Sequence, residues 1–256
     1  MAWDPQTYLK YGGERARPAA DLLARVPVAA PRVAVDLGCG AGNITRLLAE
    51  RWPAATIVGV DSSEAMLATA RAAGIRARFE HADIADFRPD IAPDVIYSNA
   101  ALHWLGDHAA LFPRLVRVLA PGGTLAVQMP RNHHRPLQSI LSALVDEWGL
   151  APRLADVAGR REILAPEAYY AVLAPHVAAL DIWEVDYLHV LSGDNPAFEW
   201  ARGTSLRPVL AALDGADQRR FLEAYAARIK DAYPRDSEGR TLFPFRRTFF
   251  VATARG

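Results

Sequence analysis

The chain alternates short apolar runs with amphipathic segments in a regular order from Arg32 to Met129. Apolar runs that end at a polar residue are typical of buried parallel strands, whereas apolar residues three and four apart are typical of helices. The pattern predicts strands at Arg32–Leu37, Thr56–Val60, Arg76–His81, Asp94–Ser98 and Gly123–Met129, and helices at Asn43–Arg51, Ser63–Ala73 and His108–Leu119, the last capped by Asp107. This alternation predicts a parallel sheet with helices on both faces.

The segments around this core complete the expected architecture. A short helix or ordered arm is predicted at Pro5–Tyr11, helices at Arg17–Val26, Leu137–Trp148, near Pro166–Leu173 and through much of Asn195–Tyr233, and closing strands at Leu180–Leu191 and Thr248–Thr253. We therefore expect a doubly wound α/β fold with a seven-stranded sheet and a small helical cap. The expected division is an arm and helix at 1–30 that act as a lid, a ligand-binding core at 31–130, a cap at 131–179 and 192–240, and closing strands at 180–191 and 241–256.

Three glycines at alternate positions, Gly38, Gly40 and Gly42, follow the first strand and predict a tight turn at which a ligand can approach the backbone. The dinucleotide-binding fingerprint has its third glycine where Asn43 stands, and Asp36 would repel a pyrophosphate beside this turn. A ligand with a cationic group suits the turn better. Asp36 either contacts that group or orients the loop.

Acidic residues also follow the second and third strands. In nucleotide-binding α/β folds an acid at the position of Asp61 accepts hydrogen bonds from ribose hydroxyls. Its alternative role is to cap the next helix, although Ser62 or Ser63 could do that. Asp83 could accept from an adenine amino group while Ile84 covers the ring, or it could cap a turn.

Composition restricts the possible binding partners of the protein more than it restricts the possible folds. Lys and Arg equal Asp and Glu at 29 each, so no overall field attracts nucleic acid or an anionic membrane. The single cysteine, Cys39, excludes an internal disulfide and is expected to be a packing residue, and no Cys/His cluster suggests a metal. The sequence shows no signal peptide and no apolar run long enough to span a bilayer, so we expect a cytoplasmic location.

These motifs together resemble the class I S-adenosylmethionine-dependent methyltransferases, which share a Rossmann-like fold. The glycine turn, Asp61, Asp83-Ile84 and Leu119-Ala120-Pro121-Gly122-Gly123 carry this resemblance. A narrower similarity, to the trans-aconitate 2-methyltransferase family, runs through nearly the whole chain. It rests on Trp3-Asp4-Pro5, Tyr8, Glu14–Ala19, Val60-Asp61-Ser62-Ser63, Asn99–Leu105, Ala126–Pro130 and Asp181-Ile182-Trp183.

The resemblance implies methyl transfer from S-adenosylmethionine to a carboxylate of trans-aconitate or a related polycarboxylate, giving a monomethyl ester and S-adenosylhomocysteine. The implied cofactor-binding residues are Asp36, Gly38, Gly40, Gly42, Asp61, Ser62, Asp83, Ile84 and Asn99. An acceptor carboxylate is ionised at neutral pH, so no catalytic acid or base and no metal is expected. Catalysis would come from positioning and exclusion of water.

Arginine forks fit carboxylates, and the polycarboxylate acceptor is therefore expected to meet cations. The candidate acceptor-binding residues are Tyr8, Tyr11, Arg15, Arg17, His103, Trp104, Arg131, Arg207 and Arg246, with His133 and His134 as weaker ones. Each arginine could instead be a surface charge, and His103-Trp104 could belong to the core. Tyr169, Tyr170 and Trp183 are expected in the core.

Four functions remain open from the residues alone. They are a carboxyl O-methyltransferase, a methyltransferase for another metabolite, a non-enzymatic S-adenosylmethionine-binding protein and a nicotinamide dehydrogenase. Asp36 and Asn43 argue against the dehydrogenase, and the arm and the cations of the cap argue against the non-enzymatic protein. The acceptor pocket separates the first two.

Overall fold

The structure is a computed structural model that describes residues 12–154 and 163–256, with side chains described from Ala16 onward. It divides into two compact units. Unit 1 consists of the described residues up to Pro130, Ile163–Glu184 and Thr248–Gly256, and unit 2 consists of the described residues between Arg131 and Glu162 together with Val185–Arg247. The predicted arm at Pro5–Tyr11 lies outside the described residues.

Within the described residues, seven strands form one sheet in the order β3-β2-β1-β4-β5-β7-β6. The strands are β1 Val33–Leu37, β2 Thr56–Asp61, β3 Arg78–His81, β4 Val95–Asn99, β5 Thr124–Pro130, β6 Val177–Ser192 and β7 Arg240–Ala254. β1 to β5 pair in parallel. Because parallel strands end at the same edge of a sheet, the segments after β1, β2, β3 and β4 meet there.

The last two strands are longer than the sequence predicts. β7 runs antiparallel to β5, since the Ala254 amide donates to the Gly123 carbonyl in unit 1 and the Arg131 amide donates to the Arg246 carbonyl in unit 2. The expected strand Thr248–Thr253 is only the apolar end of β7. Its first half contains Pro244 and polar residues, which weaken the strand pattern in the sequence.

Nine α-helices lie in the described residues. They are α1 Gly12–Ala24, α2 Asn43–Arg51, α3 Glu64–Ala72, α4 His108–Arg117, α5 Pro136–Glu147, α6 Pro166–Leu173, α7 Pro196–Arg202, α8 Arg207–Ala211 and α9 Gly215–Ala232. α1 begins five residues before the predicted start at Arg17, and Pro18 lies inside the helix rather than in its first turn, where proline is favoured. Asp107 caps α4 as predicted, by accepting from the Ala110 amide at 3.2 Å.

The core of unit 1 lies on both faces of the sheet. Because both sides of each strand are buried, the strands appear in the sequence as continuous apolar runs. Val35, Ile96 and Val127 from three neighbouring strands are at most 3% exposed. Tyr169 is fully buried as predicted, but Tyr170 is 61% exposed, so the expectation that it belongs to the core is wrong. Successive residues of a helix point in different directions, and only one of this pair can face the core. Trp183 is half-buried and stacks on Phe249.

Unit 2 is held by helix pairing and an aromatic cluster. The Tyr225 hydroxyl of α9 donates to the Leu137 carbonyl of α5 at 2.7 Å, and the Leu137 amide donates to the Tyr233 hydroxyl at 3.2 Å. His189, Trp200 and Phe243 pack with ring centroids 5.3–6.4 Å apart. In the part of the chain that is described, no helix combines the length and the apolar character needed to cross a membrane.

Candidate functional site

The three glycines of the turn after β1 differ in the space that surrounds their Cα atoms. All three have positive φ, which L side chains rarely adopt. A Cβ on Gly38 would overlap the Cβ of Ala101, and one on Gly42 would lie 2.6 Å from Cδ1 of Ile75. A Cβ on Gly40 would meet no heavy atom within 4 Å. Packing against Ala101 therefore requires Gly38, positive φ favours glycine at all three positions, and the backbone at Gly40 is left open to a ligand.

Asp36 is a buried carboxylate next to this turn. It is 1% exposed, and its Oδ2 accepts a hydrogen bond of 2.6 Å from the Thr45 hydroxyl of α2. Burial raises the pKa of Asp36 to about 7, against the lowering effect of the Thr45 hydrogen bond, and the charge of Asp61 raises it further. A cationic group in the site would stabilise this carboxylate, so the local electrostatics favour a positively charged ligand.

Asp61 links the glycine turn to the beginning of α3. Its Oδ2 accepts from the Gly40 amide and its Oδ1 from the Ser63 amide, both at 2.8 Å. The N-cap of α3 is Ser63, whose hydroxyl accepts from the Met66 amide. An ionised carboxylate has about four acceptor positions, so Asp61 retains capacity for two hydroxyl groups of a ligand. The neighbouring Ser62 is exposed, and its carbonyl lies 3.0 Å from Nε2 of His81.

The segment after β3 approaches the same turn. Asp83 caps the short 3₁₀ helix Ile84–Asp86 by accepting from the Ala85 amide at 2.8 Å, which is the turn-capping role considered for it. Asp83 is exposed and retains acceptor capacity for a ligand. Ile84 is half-buried, and its Cδ1 would lie 3.8 Å from a Cβ on Gly38.

Asn99 ends β4 opposite Gln128 of β5. Its side-chain oxygen Oδ1 is buried and has no hydrogen-bond partner among the described residues. The next residue, Ala100, has a φ of 54°, a left-handed conformation that costs about 1–2 kcal/mol in a residue other than glycine. An unsatisfied buried acceptor beside a strained residue is typical of a ligand-binding edge.

His108 holds the segment that contains His103 and Trp104 in place through two hydrogen bonds. Nε2 of His108 lies 3.1 Å from the Leu102 carbonyl, to which it donates, so Nδ1 accepts from the Tyr169 hydroxyl at 2.7 Å. Burial lowers the pKa of His108, which keeps the ring neutral in this arrangement. Trp104 is 40% exposed and His103 half-buried, and their rings lie 4.8 Å apart. The exposed Trp104 therefore lies outside the core.

Unit 2 contains a cavity of about 320 Å³ lined by Arg131, His134, Arg135 and Arg246. Two of these residues, Arg131 and Arg246, are predicted acceptor-binding residues. Arg246 forms a bidentate pair with Asp186, with Nε–Oδ1 at 3.1 Å and Nη2–Oδ2 at 2.8 Å. Arg135 donates to the same Oδ2 at 2.8 Å. Such a lining is suited to an anionic ligand.

The remaining predicted acceptor residues are not among those that line this cavity, or they lie outside the described residues. Arg17 is exposed on α1 of unit 1, and Arg207 is half-buried at the beginning of α8 in unit 2. Tyr8 and Tyr11 lie outside the described residues, as does the side chain of Arg15. His133 is half-buried and does not line the cavity.

Sequence reasoning missed the residues that hold the predicted ones in place. Thr45 fixes Asp36, and the Ser98 hydroxyl donates to the Leu37 carbonyl at 2.7 Å. Thr45 could have been found from the sequence, because it is a polar residue on the otherwise apolar side of a predicted helix. Arg135 and Asp186 are 51 residues apart, and no local pattern predicts their pairing.

Two other features bear on the chemistry of the site. Cys39 is 7% exposed, and burial together with the charges of Asp36 and Asp61 raises the pKa of its thiol, as fits a packing residue. Over residues 12–154 and 163–256, no group of three or more histidine, cysteine or acidic residues is arranged to hold a metal ion.

Comparison with known proteins identifies the family to which this chain belongs. Residues 34–123 match the family model described as a methyltransferase domain. Trans-aconitate 2-methyltransferase from Methylobacterium nodulans is 49% identical over 98% of this chain and 97% of its own length. The proteins of the same name from Azoarcus sp. and Klebsiella pneumoniae are 47% and 46% identical, again over 98% of this chain and over 98% and 97% of their own lengths.

Solved structures with low sequence identity share the fold. The YcgJ protein of Bacillus subtilis has a TM-score of 0.61 at 17% identity, covering 94% of this chain and 99% of that chain. The Haemonchus contortus phosphoethanolamine N-methyltransferase 2 has a TM-score of 0.58 at 17% identity, covering 94% of this chain and 53% of that chain. The Rossmann-like methyltransferase fold expected from the sequence is thus confirmed, and on its full-length relatives the chain belongs to the trans-aconitate 2-methyltransferase family.

Proposed function

We propose that this protein transfers a methyl group from S-adenosylmethionine to a carboxylate of trans-aconitate or a closely related polycarboxylate, giving a monomethyl ester and S-adenosylhomocysteine. The observation that carries the proposal is the similarity of 46–49% over 98% of the chain to proteins named for this activity. The charge distribution supports it independently, since the acids of the glycine turn suit a cationic cofactor and the arginine cavity suits an anionic acceptor.

The proposed cofactor site is the edge at which β1, β2, β3 and β4 end. The open backbone at Gly40 can be approached closely, and Asp61 retains acceptor capacity for ribose hydroxyls. Asp83, Ile84 and the buried Oδ1 of Asn99 are proposed to contact the rest of the ligand. Asp36 is nearly inaccessible, so we propose that it acts on the cationic group through the electrostatic field and by orienting the turn.

The proposed reaction requires no acid–base catalysis by the protein. S-adenosylmethionine, when bound, supplies a methyl group on a positively charged sulfur. The acceptor carboxylate is already ionised at neutral pH and can form the new O–C bond without a general base. The residues of the site therefore bind, orient and exclude water, which are the contributions that accelerate a reaction between two bound molecules.

The acceptor needs cations because a polycarboxylate is repelled by Asp36, Asp61 and Asp83. Arg131 and Arg246 supply them in the cavity of unit 2. Arg17, Arg207, His103 and Trp104 remain proposed contacts, together with Tyr8, Tyr11 and Arg15. We also propose that the reaction takes place in the cytoplasm. It is proposed to involve no nucleic acid or membrane, because a chain with no net charge has no overall field that attracts either.

The experiment is incubation of the purified protein with methyl-labelled S-adenosylmethionine and a panel of mono-, di- and tricarboxylates. We expect label in a monomethyl ester of trans-aconitate, in the presence of a chelator, and little label in monocarboxylates. Labelling of an amine, a phenol or a carbon acceptor, with no ester from any di- or tricarboxylate, would instead assign the protein to another metabolite.

A further inference from the structure

The segment between β4 and α4, residues 100–107, lies against the glycine turn that follows β1. A Cβ on Gly38 would overlap the Cβ of Ala101, so the beginning of this segment packs on the turn at which the cofactor is proposed to bind. Further along the segment, Trp104 is 40% exposed. Ligand sites are lined mainly by apolar and aromatic side chains, so an exposed indole on this segment is suited to line one.

Both ends of the segment have left-handed backbone and are fixed by neighbouring elements. Ala100 has a φ of 54° and Asp107 a φ of 49°, a region that residues other than glycine rarely adopt. The Ala100 amide donates to the Gln128 carbonyl of β5 at 2.9 Å, and Asp107 caps α4. Residues in such conformations persist where the surrounding structure holds them, and they cluster at binding sites.

The middle of the segment is a single 3₁₀ turn, Leu102–Trp104. The Leu102 carbonyl accepts from the Leu105 amide at 3.1 Å, and Nε2 of His108 lies 3.1 Å from the same oxygen. One turn of 3₁₀ helix has little stability of its own. The contact with His108 therefore ties this turn, with the side chains of His103 and Trp104, to the beginning of α4.

Tyr169 of α6 sets the tautomer of His108 that makes this contact. A carbonyl only accepts, so Nε2 carries the proton, and Nδ1 of the neutral ring accepts from the Tyr169 hydroxyl at 2.7 Å. The Tyr169 oxygen in turn accepts from the Leu164 amide at 3.3 Å. Burial lowers the pKa of His108, against the effects of backbone hydrogen bonds and of the charge of Asp107. The ring is therefore neutral at neutral pH.

The two rings that anchor the 3₁₀ turn lie in the core of unit 1. His108 and Tyr169 are both buried, and the Phe112 ring packs with its centroid 4.9 Å from the first and 5.4 Å from the second. Rings that are packed in this way have little freedom to move. A buried imidazole of this kind acts on a ligand through the segment that it holds rather than by direct contact.

We propose that His108 is a positioning residue for the acceptor: it holds the 3₁₀ turn so that His103 and Trp104 form one wall of the acceptor site, and Tyr169 sets the tautomer that this requires. The inference rests on the proposed function, because it assigns the wall to the polycarboxylate acceptor. Methyl transfer requires the two reactants in line and water excluded, so displacement of the wall slows the reaction of the acceptor.

The test compares His108→Leu with His108→Gln in the full chain. Glutamine carries an acceptor and a donor on either side of one carbon, as neutral imidazole does, so it can replace both hydrogen bonds. At saturating S-adenosylmethionine, kcat/KM for trans-aconitate should fall about tenfold or more in His108→Leu and stay within about threefold of wild type in His108→Gln. Calorimetry should give S-adenosylhomocysteine affinities within about threefold of wild type in both. An equal loss of kcat/KM and of S-adenosylhomocysteine affinity in His108→Leu, or an equal loss in the leucine and glutamine variants, would overturn the positioning role.

The role of Tyr169 is tested without replacing His108. Tyr169→Phe removes the hydroxyl and should lower kcat/KM for trans-aconitate by about threefold or more. The matched control is Tyr170→Phe, which changes the next residue of the same helix, 61% exposed, and should stay within about twofold of wild type. Nitrogen NMR of the wild type at neutral pH should show the His108 proton on Nε2. A proton on Nδ1, or wild-type kcat/KM in Tyr169→Phe, would overturn this role, also if His108→Leu does not fold.

Failure of this inference can be told apart from failure of the proposed function. If the wild type forms the ester and His108→Leu keeps the wild-type kcat/KM, the reaction stands and the positioning role fails. If the wild type forms no ester from any polycarboxylate, the proposed function fails and with it the assignment of the wall to that acceptor. Hydrogen exchange of residues 100–107 then decides whether His108 holds the segment, since exchange should be about tenfold faster in His108→Leu but not in His108→Gln.

Discussion

The edge of the sheet in unit 1 is lined by acidic side chains, whereas the cavity in unit 2 is lined by basic ones. Asp36 accepts from a hydroxyl and Asp61 from backbone amides, all of which are neutral donors. Arg135 and Arg246 are held by a carboxylate, which cancels part of their positive charge. The first arrangement favours a cationic ligand, and the second presents arginine donors that suit an anionic ligand. A methyltransferase that joins a cationic donor to a polyanionic acceptor needs both.

The largest expected effect concerns the packing of the glycine turn rather than its charge. Gly38→Ala places a Cβ into Ala101 and forces alanine to a φ of +83°, so the free energy of unfolding should fall by about 2–4 kcal/mol. Thermal or denaturant unfolding measures this. Gly40→Ala is the matched control, because the space at its Cβ is open and only the cost of its φ of +52° applies. Equal destabilisation in both variants would contradict the different roles assigned to the two glycines.

The burial of Asp36 should appear in the pH dependence of stability. Its pKa is raised to about 7 in the folded protein but is about 4 when unfolded, so between these values only the folded state binds the proton. The free energy of unfolding should therefore fall, on the order of 2–3 kcal/mol, as the pH rises from about 5 to about 8. Asp36→Asn should lack this component in denaturant titrations at several pH values. A variant with the wild-type pH dependence would show that Asp36 is not the titrating group.

Asp61 should affect cofactor binding more than stability. Asp61→Ala removes the acceptor of the Gly40 and Ser63 amides and the proposed ribose acceptor, and S-adenosylhomocysteine affinity should fall by about 1–3 kcal/mol. Calorimetry gives the value. Asp83→Ala is the control on the neighbouring segment, where the carboxylate is exposed and a smaller loss is expected. An unchanged affinity in Asp61→Ala removes Asp61 from the site.

The smallest expected effect is that of a chelator on turnover. Because the acceptor is already ionised and the transfer needs no metal, the rate at each pH should change by less than about twofold when a chelator is added. Initial rates across pH 6–9 with and without chelator test this. A rate that is lost with chelator and restored by magnesium would require a different chemistry for methyl transfer.

The sequence predicts the helices and strands better than the long-range contacts that complete the sites, for a physical reason. Strand periodicity, the glycine turn and caps such as Asp107 depend on neighbours within a few residues, so β1 to β5 and α6 lie within two residues of the predicted ends. The pairs that complete the sites connect distant positions. Asn132 binds the backbone of Arg246 across 114 residues, and Arg135 meets Asp186 across 51. Such contacts follow from the path of the whole chain and leave no local signal.

The most direct test of the division of labour between the two regions is a kinetic comparison of Arg246→Gln with Asp61→Asn. We predict that Arg246→Gln raises the KM for trans-aconitate by about a hundredfold and leaves S-adenosylhomocysteine affinity within about twofold of wild type. We predict that Asp61→Asn weakens S-adenosylhomocysteine by about tenfold and leaves the acceptor KM within about threefold at saturating S-adenosylmethionine. Loss of both ligands to the same extent in either variant would contradict separate cationic and anionic sites.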